Sequence, residues 1–162
     1  MKIYEKDVVQ EIIKYLKSTG IKDIATEVGM FGESFIDVVY IDSSRNMVCV
    51  EVKLTDWRTV VKQALKLKKY THNVYVIMPV PETRYRLNMI TQEVNKNGLG
   101  LAWFKDKKIH IVNEPRKHGH LSSKGFQAQC FVSYLANNFY ANLHISFLTR
   151  CIDYKSNSGH LY

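Results

Sequence analysis

Disulfide frameworks, membrane spans and phosphate-cradling glycine loops are all missing from this chain. Cysteine occurs only at Cys49, Cys130 and Cys151, with no CxxC spacing. That excludes a disulfide scaffold and fits a reducing compartment, with Cys49 expected as a buried thiol in a strand. No apolar run reaches the ~20 residues a bilayer-crossing helix needs. The N-terminus has neither the apolar stretch nor the cleavage site of a secretory signal. The expected location is therefore the cytoplasm, with no membrane partner. Gly29 and Gly32 are too sparse for a P-loop and no Gly-Lys-Ser or Gly-Lys-Thr follows, which excludes an ATPase and a nucleotide cofactor. His118 and His120, with distant His110, His144 and His160, have no cysteine pair or HExxH to support a zinc site. No GxSxG or Cys-His arrangement argues for acyl transfer. Internal repeats and low-complexity segments are absent as well.

What remains is a basic chain of 162 residues, 46% hydrophobic, with a formal net charge of +8. The length suits one compact domain with an ordinary core. The charge is uneven. Through Pro79 there are twelve basic and ten acidic residues, and beyond it eleven and five. A basic surface with a few placed acids suits a polyanionic partner.

Hydrophobic periodicity predicts a helix over Tyr4–Lys17, with Val8, Val9, Ile12, Ile13 and Leu16 on one arc and Gly20 ending it. Strands are predicted over Ile24–Val28, Phe35–Ile41 and Met47–Leu54, the last two joined as a hairpin by the polar cluster from Asp42 to Asn46. Asp56 offers a cap for a helix over Trp57–Tyr70. A strand over Asn73–Met78, stopped by Pro79 and Pro81, then makes a parallel crossover. A helix over Tyr85–Lys96, ended by Asn97-Gly98, leads to short strands over Leu99–Phe104 and Lys108–Val112. The order predicts an α/β layer arrangement with a mixed sheet, occupying residues 1–114. Residues 115–162 read as a basic, aromatic extension. Within it Phe126–Tyr140 is a candidate helix, and Ile145, Phe147 and Leu148 add an apolar patch that either closes the core or makes a dimer contact.

The chemistry-bearing pattern is Asp37 followed, past a turn, by Glu51-Val52-Lys53. Period two puts Glu51 and Lys53 on one strand face beside Met47 and Cys49, where an acid and a base are costly unless they share a partner. One reading is a divalent metal and a phosphate. Asp37, Glu51 and the Val52 carbonyl would supply hard oxygen ligands to Mg²⁺ (or Mn²⁺), and Lys53 would orient a water or balance charge on phosphorus. The other reading is an ordinary half-exposed strand with alternating charges. Glu5 is an anomaly, since it falls inside the apolar arc of the first helix, whereas Glu11 falls outside it. Glu27 and Glu33 are further acids near the pattern. On the helix after Lys53, Lys62, Lys66 and Lys69 recur on one side and Arg58 extends the row. These residues, with Ser34 and the Arg116-Lys117 pair, are candidate phosphate contacts. Trp57 either stacks on a base or packs its helix on the sheet.

The whole pattern resembles the PD-(D/E)XK nuclease superfamily, over roughly residues 1–112. Asp37 matches the superfamily's aspartate, and Glu51 and Lys53 match its Glu-x-Lys. Glu5 matches the glutamate that resolvase-like members carry near the start of the first helix. Gln63 matches a glutamine common after the Glu-x-Lys strand. Ile36 stands where the family often has proline, and Leu67 where RecB-type members have tyrosine. The resemblance implies a restriction-endonuclease-like core, a central mixed β-sheet flanked by helices. It also implies a metal-dependent endodeoxyribonuclease acting on DNA as a homodimer and leaving a 5′ phosphate. Glu5, Asp37 and Glu51 would hold the metal, Lys53 would serve the nucleophile and Gln63 would support the site. The alternative is a non-catalytic nucleic-acid-binding module or interaction subunit with the same fold.

Overall fold

A computed structural model of the chain describes residues 3–30, 34–44, 46–71 and 73–116, with the backbone alone at Met30 and Ser34. The expected Phe126–Tyr140 helix, the apolar patch and tail after it, and Glu33, Lys117, His118 and His120 lie outside the described residues.

The elements follow the sequence order closely. They are α1 (Glu5–Ser18), β1 (Ile24–Met30), β2 (Ser34–Ile41), β3 (Met47–Val52), α2 (Trp57–Leu67), β4 (Asn73–Pro79), α3 (Arg84–Lys96), β5 (Gly100–Lys105) and β6 (Lys108–Asn113). Three boundaries differ from expectation by two residues or more, and several others by one. β1 runs on to Met30 because its partner β2 continues back to Ser34. β3 stops at Val52 instead of Leu54, although the Lys53 amide still donates to the Ile77 carbonyl at 3.2 Å. α2 stops at Leu67 instead of Tyr70, because the amides of Tyr70 and Thr71 both fold back onto the Leu67 carbonyl. The Asp56 cap is as expected, its carboxylate accepting the Thr59 amide at 3.1 Å. Gly20 and Gly98, with φ of 88° and 63°, release α1 and α3 through the left-handed region.

The six strands form one sheet in the order β1-β2-β3-β4-β5-β6. Pairings are antiparallel from β1 to β3, parallel from β3 to β5, and antiparallel between β5 and β6. The β2–β3 hairpin and the β3–α2–β4 crossover both form. Alternation along the strands divides the core into two layers. Val48, Val50, Val52, Tyr75 and Ile77 pack on one face against Val8, Ile12 and Leu16 of α1. Cys49, Val74, Val76 and Met78 pack on the other against Val60, Val61, Ala64 and Leu67 of α2 and Ile90 and Val94 of α3. This is a mixed α/β fold with a central sheet flanked by helices. Because β3 and β4 are parallel and each feeds a helix, α2 and α3 begin at the same end of the sheet. The first turn of α3 is tied there to the approach to α2, with Arg86 Nη2 donating to the Thr55 carbonyl at 2.6 Å. Among the described residues no helix is long and apolar enough to cross a membrane.

Candidate functional site

The residues singled out from sequence meet where β3 ends. The β2–β3 ladder pairs Ile41 through Val38 with Met47 through Val50 and then ends. Beyond that point the Asp37 carboxylate takes the place of a strand partner, accepting the Val52 amide at 2.7 Å. Opposite Asp37 on β1, Glu27 holds φ at 52°, a left-handed conformation uncommon for a non-glycine residue. Lys53 leaves the end of β3 and its ammonium donates to Glu5 Oε2 at 2.9 Å, joining the strand to the first turn of α1. Glu51 lies on the Cys49 side of β3, under the α2–α3 layer, with 3% of its surface exposed.

The electrostatics follow from that placement. Burial pushes the Glu51 carboxyl up to about 8, with the Asp37 charge adding to the shift and Lys53 opposing it. Burial also raises Asp37, against the Val52 amide and the Lys53 charge, which favour its ionised form. Burial opposes the charge on Lys53, but the hydrogen bond and charge of Glu5 outweigh it and hold the ammonium's pKa above its ordinary value.

This geometry corrects the metal assignment. Among the described residues no group of three or more His, Cys, Asp or Glu is placed to hold a metal ion. The cause lies in what each acid already does. Asp37 accepts a backbone amide, Glu5 accepts the Lys53 ammonium, and Glu51 lies buried on the Cys49 side of β3. A hard cation needs converging, ionised oxygens. The donor set does not fit Mg²⁺ or Mn²⁺, and the Val52 carbonyl cannot stand in for the missing charge. The expected Mg-dependent nuclease is overturned with it: the metal-binding endonuclease, the phosphodiester hydrolase and the resolvase-like activity all required that ion. The second expected reading of Glu51 and Lys53, a half-exposed strand, also needs correcting, because Glu51 is buried.

The other candidates are distributed as follows. Gln63 sits on α2 with its Oε1 buried and without a hydrogen-bond partner among the described residues. Glu11 pairs with Lys14 on α1 at 2.8 Å, away from the site. Ser34 is the first residue of β2. Trp57 packs against the core under α2, and the Arg58 guanidinium lies over its ring at 4.7 Å. Arg116 donates to the Asn95 carbonyl near the far end of α3, so it is not brought to the Arg58 end of the layer.

The basic row on α2 does form. Val60, Val61, Ala64 and Leu67 are buried, and Arg58, Lys62 and Lys66 recur every four residues on the opposite, exposed side, followed by exposed Lys69. Sequence reasoning missed three further residues. Arg84, Tyr85 and Arg86 open α3 beside this row, all exposed. Their signal was present, since Ile90 and Val94 set the buried side of α3 and Tyr85 falls opposite it at about 100° per residue. In sequence Lys68 is one more lysine in a lysine-rich stretch. Its ammonium is drawn inward to the carbonyls of Gly98 at 2.7 Å and Arg116 at 3.0 Å, and burial, then Arg116, lowers its pKa.

No family model matches the chain, and no curated protein is recognisably similar to it. Solved structures do share its fold. A XisH family protein from Nostoc punctiforme superposes with a TM-score of 0.50 at 14% identity, over 68% of this chain and 99% of its own. A protein of unknown function from Silicibacter pomeroyi superposes with a TM-score of 0.55 at 13% identity, over 90% of this chain and 99% of its own. At these identities the likeness is one of fold alone.

Proposed function

We propose that this chain is a non-catalytic nucleic-acid-binding module built on a restriction-endonuclease-like core, using the outer surface of its α2–α3 layer. The observation that carries this reading is the row Arg58, Lys62 and Lys66. Four residues of helix advance about 6 Å, so the row presents cations at a regular spacing along one exposed face. No acid lies on α2 itself. Across residues 55–98 the basic residues are Arg58, Lys62, Lys66, Lys68, Lys69, Arg84, Arg86 and Lys96, against Asp56, Glu82 and Glu93. The core assignment draws on the positions of Glu5, Asp37, Glu51 and Lys53, and on the helix, antiparallel strands and parallel crossover that carry them.

The test is fluorescence anisotropy with labelled DNA across a salt series. Affinity is expected to fall with salt on a log–log slope of about −2 to −4, the range for three to four phosphate contacts. The Lys62→Glu/Lys66→Glu double variant is expected to lose at least tenfold in affinity and to flatten the slope by about 1.4 to 1.8. The DNA is expected to be recovered uncut after incubation with Mg²⁺. Salt-independent binding, or unchanged affinity in the double variant, would overturn the reading.

A further inference from the structure

The opening of α3 carries a feature that phosphate binding alone does not use. Tyr85 is 75% exposed on the first turn of the helix. Its neighbours in sequence are both arginines, which at about 100° per residue stand on either side of the ring. One of them, Arg86, is fixed by its bond to the Thr55 carbonyl. Two residues beyond Thr55, Trp57 packs against the core with the Arg58 guanidinium over its ring, which seats that cation at the start of α2. The end of the layer where the basic row begins therefore offers the exposed Tyr85 ring as well as cations.

Flat groups interleaved with cations are what an unpaired polynucleotide requires. Its phosphates need positive charge, and its bases need a π surface on which to stack. A duplex keeps its bases stacked on one another and gains nothing from an exposed tyrosine on a helix. We infer that the α2–α3 layer prefers single-stranded DNA, with Tyr85 as the stacking platform for one base and Arg84 and Arg58 on the adjoining phosphates. This rests on the nucleic-acid reading above and names the form of nucleic acid that the same surface takes. Tyr85 is the residue that separates the two claims, because it carries no charge.

The experiment measures anisotropy with a fluorescein-labelled oligothymidylate, the same strand carrying abasic positions, and a duplex of equal length. The proteins are wild type, Tyr85→Ala and Tyr85→Phe. Tyr85→Ala is expected to lose about tenfold in affinity for the single strand and less than twofold for the duplex, from the loss of one stacked base. Tyr85→Phe is expected to retain wild-type affinity, since the ring face is kept. The abasic strand is expected to bind wild type and Tyr85→Ala equally. The exposed side chain contributes little to folding, and matching circular-dichroism melts of wild type and Tyr85→Ala verify that the variant folds. If Tyr85→Ala binds the oligothymidylate as wild type does, the stacking inference fails, even where salt-dependent binding persists and the broader reading stands. If no labelled DNA binds at all, it is the broader reading that fails.

Discussion

Glu51 is a carboxyl that the fold keeps dry, and the cost depends on pH. Its ordinary pKa of 4.5 is raised to about 8 by burial, reinforced by Asp37. Between those values the native state holds a proton that the unfolded chain has released. Stability is therefore fully present below about 4.5, declines as pH rises through the window, and levels off above about 8. A tenfold change in proton affinity is worth about 1.4 kcal/mol, so the penalty at high pH reaches a few kcal/mol. Glu51→Gln keeps the shape and removes the charge. Urea unfolding is expected to show the variant close to wild type at pH 5 and more stable by about 2 kcal/mol or more at pH 9. An equal difference at both pH values would show that the wild-type carboxyl is ionised throughout. At this scale the sequence was only half readable. The sequence pattern picked out Glu51 and Lys53 and the helical wheel flagged Glu5, but the strand ends at Val52 and Lys53 turns to Glu5 on α1 instead of sharing a strand face with Glu51. Which oxygen accepts which proton depends on where β3 ends and on where its ladder with β2 stops, and neither is written in residue type.

The sheet shows how tightly one element can constrain another. Tyr75 on β4 stands beside Gly100 on β5 in a parallel pair. A Cβ on Gly100 would meet the Tyr75 ring at 2.5 Å, and the ring is held by a hydrogen bond from its hydroxyl to Glu114. Gly100→Ala is therefore expected to destabilise by about 1–3 kcal/mol. Chemical denaturation checks this, and the loss should shrink in a Tyr75→Leu background, where the ring is absent. In sequence Gly100 falls inside the strand expected over Leu99–Phe104, where a glycine can mark a close approach, but nothing there says that the neighbour is Tyr75. The strands themselves were legible from their β-branched alternation. α2 was legible from its cap and its lysine spacing, though its last turn was not, since Tyr70 continues the apolar pattern after the backbone has turned.

At the scale of the molecule, the helices on the two faces of the sheet differ in charge. α1 mixes Glu5, Asp7 and Glu11 with Lys6, Lys14 and Lys17. The α2–α3 layer on the other side of the sheet carries the basic row. Equal changes in net charge should then have unequal effects. Lys14→Glu/Lys17→Glu is expected to shift DNA affinity by no more than about twofold, whereas the same charge change at Lys62 and Lys66 costs at least tenfold. Comparable losses from both pairs would mean that net charge, and not this surface, draws the ligand. The asymmetry was only partly legible. The counts divided the chain by sequence position, while the structure divides it by sheet face, and a helix's face is set by tertiary packing.

The strand order has a further consequence. Among the described residues every strand hydrogen-bonds only to its neighbours in chain order, from β1 through β6. A nascent chain leaving the ribosome can thus add each strand to an already assembled edge as it emerges, without holding a gap open for a segment not yet synthesised.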